Sequence, residues 1–404
     1  MTAGRLRTLD ELGDVAWMRV FLRVDLNVPL ADDGSVADDS RIAASIPTID
    51  ELRERGAVLV LATHLGRPDG VPTDELRTRV VADALTGLLA GRAPVRALGM
   101  PDEPATIDAV GRLGPGDLAM LENLRFDPGE EANDPRFAGT LAELADVYVN
   151  DAFGAAHRAH ASVVALPELM LASGRPAIAG RLLQKEVETL GRLLEGPERP
   201  YVAVLGGAKV SDKLGVIEAL IPRVDHILIG GAMAFTVLAA EGASVGRSRV
   251  EEDRVEEVRG IRRAAEAAGV RIELPTEVVA AAQPALDVPR TTVPAREIPD
   301  GLMGLDIGPS TVDAFARVIA DAKTVLWNGP MGVFELEPFA EGTRGVALAI
   351  ARANAYSVVG GGDSIAAVRQ AGLEGSFDHL STGGGASLEF LEGRPLPGIT
   401  ILED

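Results

Sequence analysis

The sequence predicts an α/β protein of two domains, each a parallel sheet covered by helices on both faces. Three observations predict it. Short β-branched runs alternate with stretches of helical spacing along the chain. The runs are apolar almost throughout and end in turns rich in Gly, Asn or Asp, the pattern of strands buried on both faces. At 404 residues the chain is also too long for one ordinary core, so two or three domains are expected.

In the first half, "VFLRVDLN" (20–27), "AVLVLATH" (57–64), "LAMLENLRF" (118–126) and "DVYVNDAFG" (146–154) read as buried strands. Between them, "SRIAASIPTIDELRERG" (40–56) has helical spacing with a glycine at its stop, and "TDELRTRVVADALTGLLAG" (73–91) is similar. "AGRLLQKEVETLGRLLEGPERP" (179–200) reads as one helix ending at Gly196-Pro197, and it marks the boundary. The second half repeats the scheme with "YVAVLGG", "HILIGG", "RIELPTEV", "TVLWNGP" and "YSVVGGGD" as strands, each followed by a helical pattern or a longer connection. The apolar tail "PLPGITILED" must pack against something. The expected division is 1–180, a linking helix and hinge over 181–200, a second domain over 201–390 and a tail over 391–404.

Composition narrows the chemistry. The chain is 47% hydrophobic with 45 glycines, 25 prolines and few aromatics, which suits a globular enzyme with many tight turns. It has no cysteine, which excludes disulfides and thiolate metal sites and is compatible with a cytoplasmic location. "MTAGRLRTLDELGD" lacks the apolar core of a signal peptide, and no stretch approaches the roughly 20 apolar residues of a membrane span. With a formal net charge of −21 the chain repels nucleic acid and anionic membranes, so any bound anion must sit in a local basic pocket.

Such a pocket is written into the first half. Asp25 and Asn27 in "RVDLNVP", then Arg41, His64 and Arg67 in "THLGRP", Arg125 in "ENLRFDPGE" and His157, Arg158 and His160 in "AAHRAHAS" all fall at or just past strand ends. Ligands of doubly wound sheets bind at the carboxyl ends of the strands. Arginine forks match phosphate and carboxylate oxygens, so the set suits a small, multiply charged anion. Asp25 and Asn27 then orient an arginine or accept a substrate hydroxyl. Any one arginine alone reads better as a surface ion pair, and His64 alone reads equally well as a satisfied core histidine. The grouping at strand ends favours a site.

The second half carries glycine turns instead. "VVGGGDS" (358–364) runs from a strand into a helix, with Asp363 and Ser364 expected at the capping positions. Helix starts of this kind bind anions, and glycine lets a phosphate come close. "LSTGGGASLEFLEG" (380–393) has the same design, and "DIGPST" (306–311) and "WNGPMGVFE" (327–335) complete the set. One such turn often only starts a helix, but several together with the lysine turn "GGAKVSDK" (206–213) point to a polyphosphate. Asp363 could hold Mg²⁺ through one carboxylate while phosphates supply further ligands, or merely cap its helix. No Asp/His pair, Ser/His/Asp set or His-rich cage suggests itself. Transfer of a phosphoryl group between a carboxylate and a nucleotide requires none, because the carboxylate is already ionised.

The motifs "RVDLNVP", "THLGRP", "ENLRF", "DAFGAAHRAHAS", "GGAKVSDK", "WNGPMGVFE", "GGGDS" and "STGGGASLEFLEG" resemble, in order and spacing, those of phosphoglycerate kinases over essentially the whole chain. The resemblance implies two Rossmann-like three-layer domains joined by a helix with a cleft between them, and a tail returning to the first domain. It implies transfer of the acyl phosphate of 1,3-bisphosphoglycerate to ADP with Mg²⁺, giving 3-phosphoglycerate and ATP, by a monomer whose hinge closes. By position, Asp25, Asn27, Arg41, His64, Arg67, Arg125 and Arg158 resemble the phosphoglycerate site, beside His157 and His160. Arg41 and Lys209 resemble the pair on the transferring phosphoryl, with Gly383 and Gly384 as backbone donors. Lys213 resembles a nucleotide phosphate ligand, Glu335 the ribose contact and Gly304 a wall of the adenine pocket, near Gly207 and Pro330. Gly360, Gly361, Gly362, Asp363 and Ser364 resemble the phosphate and metal turn. Ala155 and Ser364 stand where many members have Thr.

Two rival readings have sequence tests. A nicotinamide dehydrogenase needs G-x-G-x-x-G with an acidic residue about 20 positions on, and no convincing example occurs. A non-catalytic phosphate-binding module has no use for a lysine such as Lys209 beside its second anion site.

Overall fold

The computed structural model describes residues 4–404. The chain forms two compact units, one running to Glu188 and taking in Pro395–Asp404, the other Thr189–Arg394.

The first unit holds a six-stranded sheet of β1 (Arg19–Val24), β2 (Val58–Ala62), β3 (Val95–Ala97), β4 (Leu118–Met120), β5 (Val147–Asp151) and β6 (Ala177–Ala179). Their order is β3-β4-β2-β1-β5-β6, and every pairing is parallel. The order reverses between β1 and β5, so the residues after β1, β2 and β5 converge at a topological switch point. β3 and β6, three residues each, are edge strands too short to leave a sequence signal. "LAMLENLRF" is a strand only to Met120. Beyond it Asn123 caps a 3₁₀ turn, Leu124–Phe126, by accepting the amide of Arg125. The helix expected from residue 73 begins as a separate 3₁₀ turn, and the α-helix proper is Arg79–Leu88.

In the second unit, β7 (Tyr201–Leu205), β8 (His226–Ile229), β9 (Ser244–Val245) and β10 (Arg271–Glu273) precede β11 (Glu277–Ala281), β12 (Arg290–Pro294), β13 (Glu297–Ile298) and β14 (Met303–Ile307). β15 (Thr324–Asn328), β16 (Tyr356–Gly360) and β17 (His379–Ser381) follow. The main sheet is parallel in the order β10-β8-β7-β15-β16-β17, with its reversal between β7 and β15. "RIELPTEV" is not one strand: Pro275 breaks it, so Arg271–Glu273 joins the main sheet and Glu277–Ala281 leads a separate antiparallel sheet, β12-β11-β14. That small sheet sits within the stretch read as a longer connection. β12 is mostly exposed, so it lacks the apolar run that marks a buried strand.

The helix Arg181–Leu194 contains the division between the units. Its first turn is capped by buried Asp151, whose Oδ1 accepts the amides of Leu182 and Leu183 at 2.8 and 3.2 Å. In the tail, Leu396, Ile399 and Leu402 are buried in the first unit, and Arg7 donates to the carbonyls of Ile401 and Leu402. Among the described residues no helix is long and apolar enough to cross a membrane.

Candidate functional site

In the first unit, part of the expected basic set is brought together after β1, β2, β4 and β5: Arg41, Arg125 and His160 all act on His64, and Arg158 acts on Arg125. Asp25 is buried and accepts from Arg41 Nη1 at 2.6 Å, so it orients an arginine. Asn27 Oδ1 accepts the Gly66 amide at 2.9 Å, tying the β1 turn to the β2 turn. Arg125 donates to the Gly66 carbonyl at 2.8 Å and pairs with Glu131 at 3.0 Å. Arg67 is exposed and has neither a hydrogen bond nor an ion pair among the described residues. Arg158 Nε donates to His157 Nε2 at 3.2 Å. The ion-pair alternative thus applies to Arg41 and Arg125 but leaves Arg67 and Arg158 without a carboxylate.

The histidines differ from a simple cationic set. His160 is buried, and desolvation together with Arg125, Arg23, Arg158 and His157 pushes its pKa down to about 3. It adds no charge to the mouth. His64 is likewise held neutral, its pKa pushed well down by burial and by Arg23, Arg125, His160 and Arg41. Arg23 itself was not singled out from the sequence. It is fully buried and lies 3.1 Å from His64 Nδ1. A lone arginine inside the apolar run "VFLRV" was the available signal.

In the second unit a cavity of about 280 Å³ opens beside the small sheet. Gly207, Gly304, Pro330, Glu335 and Asp363 line it, with Phe235, Val278, Leu305, Met331 and Val333 supplying apolar wall. Gly304 is glycine for a reason: a Cβ there would lie 2.1 Å from the Phe235 ring. Glu335 and Asp363 are exposed and carry no hydrogen bond or ion pair among the described residues. The cavity suits a flat, largely apolar group with polar groups at its rim. Asp306, also missed from sequence, lies buried in its wall. Desolvation pushes its carboxyl up to about 7, although the amides of Ile307 and Gly342 donate to it.

Lys209, Lys213, Gly360, Gly361, Gly362, Ser364, Gly383 and Gly384 stand outside that lining, after β7, at the end of β16 and in the helix start that follows it, and after β17. Lys209 is exposed, without a hydrogen bond or ion pair among the described residues. Glu251 clamps the far side of its turn, accepting from the amides of Val210 and Ser211 and from the Ser211 hydroxyl. Lys213 is buried against Asn328 Oδ1, and desolvation lowers its pKa to about 8. The expected caps need correction. Gly361, with φ +90°, is the N-cap of the helix Gly362–Gln370, so Asp363 and Ser364 lie inside its first turn. Ser364 is fully buried and accepts the Gly329 amide at 2.6 Å, binding two turns together rather than facing a ligand. Gly384, with φ +56°, similarly precedes Gly385–Leu391, and the Gly383 amide lies 3.4 Å from Ser381 Oγ.

A family model for phosphoglycerate kinase matches residues 9–394. The chain belongs to the phosphoglycerate kinase family. A phosphoglycerate kinase of Thermomicrobium roseum is 53% identical over 397 residues, covering 98% of this chain and 99% of the relative. That of Thermus thermophilus is 53% identical over 402 residues, covering 98% and 100%. The solved structure of phosphoglycerate kinase from Coxiella burnetii superposes with a TM-score of 0.87 at 38% identity, over 98% of this chain and 99% of that one. The family is one of phosphotransferases with a carboxyl group as acceptor, and its glycolytic reaction passes a phosphoryl group between ATP or ADP and phosphoglycerate.

Proposed function

We infer that the acid phosphate binds to the basic mouth of the first unit and the nucleotide to the cavity of the second. In this reading Arg41, Arg67, Arg125 and Arg158 neutralise the small acid, with Asp25, Asn27, His64 and His157 fixing its polar groups. Gly304 and Phe235 flank the base, Glu335 meets the ribose, and the turns at Gly360–Ser364 and Gly383–Gly384 offer backbone donors to phosphate. Lys209 and Arg41 stabilise the phosphoryl in transit. The observation that carries this reading is Lys209, an exposed cation, unpaired among the described residues, on the turn whose Gly207 lines the second unit's cavity. An unpaired lysine there has no structural use, whereas a charge developing on a transferring phosphoryl gives it one. A coupled assay with ATP and 3-phosphoglycerate tests the reading, and absence of ADP formation would sink it.

Mg²⁺ fits this donor set. Among the described residues no group of three or more His, Asp or Glu side chains converges on a metal site. The carboxylate of Asp363, free among the described residues and on the turn read as the phosphate turn, suits a hard cation that keeps its waters and arrives with the phosphates. Bound there, the ion would neutralise phosphate charge. The chain is read as a cytoplasmic monomer with the roles divided as 1–180 and 201–390.

Because each ligand belongs to a separate sheet, transfer requires the two units to close, with reacting atoms within about 3–3.5 Å and water excluded. The segment 181–200 is the proposed hinge. Small-angle scattering should show a radius of gyration that falls with both ligands bound and less with either alone. A constant radius during normal turnover would rule closure out.

Lys213 gives the nucleotide side a pH signature. Its lowered pKa means that the free protein loses this cation as pH rises through about 8. kcat/KM for ATP, which reports the free enzyme, should therefore fall above that pH. Lys213→Met should have a lower value that is flat across the same range. A wild-type profile level to pH 9.5 would contradict the role of Lys213. Folding moves the opposite way: the folded state binds fewer protons between about 8 and the ordinary lysine value, so this group's contribution to stability rises with pH there.

A further inference from the structure

Beneath the basic mouth runs a line of buried polar side chains to which no role has been given. Arg23 on β1 is fully buried and has three partners: Ser162 Oγ at 2.9 Å from Nε, the Val24 carbonyl at 2.5 Å from Nη1, and His64 Nδ1 at 3.1 Å from Nη2. Ser162 passes the contact on, its hydroxyl donating to Glu130 Oε1 at 2.5 Å and its amide to Oε2 at 2.9 Å. Glu130 is fully buried, and His160 Nδ1 lies 3.9 Å from its Oε1.

The directions of these bonds are forced. A guanidinium has only donors, so both Ser162 Oγ and His64 Nδ1 must accept from it. The Ser162 proton then goes to Glu130, and the His64 proton goes to Nε2. The other tautomer would set an N–H against an N–H in a buried site, and a protonated ring would set two cations 3.1 Å apart. The groups facing His64 are Arg23, Arg125, Arg41 and His160, and the arginines all disfavour its charged form. Among the described residues His64 has its one hydrogen bond at Nδ1, which leaves Nε2 for a ligand.

We propose that Arg23, anchored through Ser162 to Glu130, is a positioning residue that locks His64 as the neutral Nε2–H tautomer, a fixed hydrogen-bond donor for the acid substrate. This rests on the assignment of His64 to the acid site. It makes the hydrogen bond to substrate independent of histidine titration, since the ring never needs a second proton.

The test is nitrogen NMR of the full chain labelled at histidine, with the His64 signals assigned by their loss in His64→Leu. Wild type should show Nδ1 unprotonated and Nε2 protonated from pH 5.5 to 8. The opposite tautomer, or a titration midpoint above pH 6, overturns the proposal. Ser162→Ala removes the anchor at small packing cost and is preferred to Arg23→Met, which threatens folding. It should mix the His64 tautomers and raise KM for 3-phosphoglycerate about tenfold, the scale of one hydrogen bond to a charged group, with KM for ATP unchanged. Unaltered tautomer and KM in Ser162→Ala overturn the anchoring role. A wild-type tautomer as proposed, with KM for 3-phosphoglycerate unaffected in His64→Leu, fails the acid-site assignment instead, and the two failures are thereby told apart.

Discussion

Lys209→Ala is expected to lower kcat by at least about 10²-fold, because a lost charge contact to a developing charge costs several kcal/mol. The side chain is exposed and makes no hydrogen bond or ion pair among the described residues, so nothing in the folded state depends on it. The turn that carries it is held by other groups: the amide of Gly206 donates to the Asn328 carbonyl and that of Gly207 to the Pro330 carbonyl, both at 3.0 Å, while Glu251 holds Val210 and Ser211. Thermal unfolding should therefore match wild type. KM for each substrate should change little, since the lost contact belongs to the transition state. A variant with near-normal kcat would remove Lys209 from the mechanism.

Gly206→Ala should destabilise the second unit by about 3 kcal/mol, the upper range for overpacking a close-packed site. A Cβ at this position would lie 2.2 Å from the Pro330 carbonyl oxygen and 2.7 Å from that of Gly329. These are backbone atoms, so no side-chain rotation relieves the clash. The ends of β7 and β15 must part, and with them Gly207 and Pro330, which line the cavity proposed for the nucleotide. The urea unfolding midpoint should fall, and KM for ATP should rise more than KM for 3-phosphoglycerate. An unchanged midpoint would mean that the two turns are looser than their hydrogen bonds indicate.

Much of the site was legible because its residues are local to strand ends. Apolar runs punctuated by Gly, Asn and Asp mark where each strand stops, and parallel topology places those stops on one edge of each sheet. Asp25, His64, Arg125 and Arg158 could thus be grouped without coordinates, as could Gly207 and Asp363, whereas Gly304, inside antiparallel β14, was placed only by the family resemblance. The misreadings share a cause. Local pattern could not separate the two strands of "RIELPTEV", because the choice of sheet depends on partners such as β8 and β14 that lie elsewhere in the chain. Nor could it place the cap at Gly361, which follows from that residue's positive φ.

By itself the sequence determined the α/β class, the two main parallel sheets and the chemistry offered at each strand end, since these follow from residue type and period. Only the tertiary structure decided which of those groups are free to act. Arg41 is engaged by Asp25, Lys209 is unpaired among the described residues, Ser364 is spent on Gly329, and His160 is neutral. Charge state and availability depend on burial and on partners distant in sequence. Arg23 meets Ser162 across 139 positions and Lys213 meets Asn328 across 115. At such separations residue identity specifies what a side chain can do, and packing alone specifies what surrounds it.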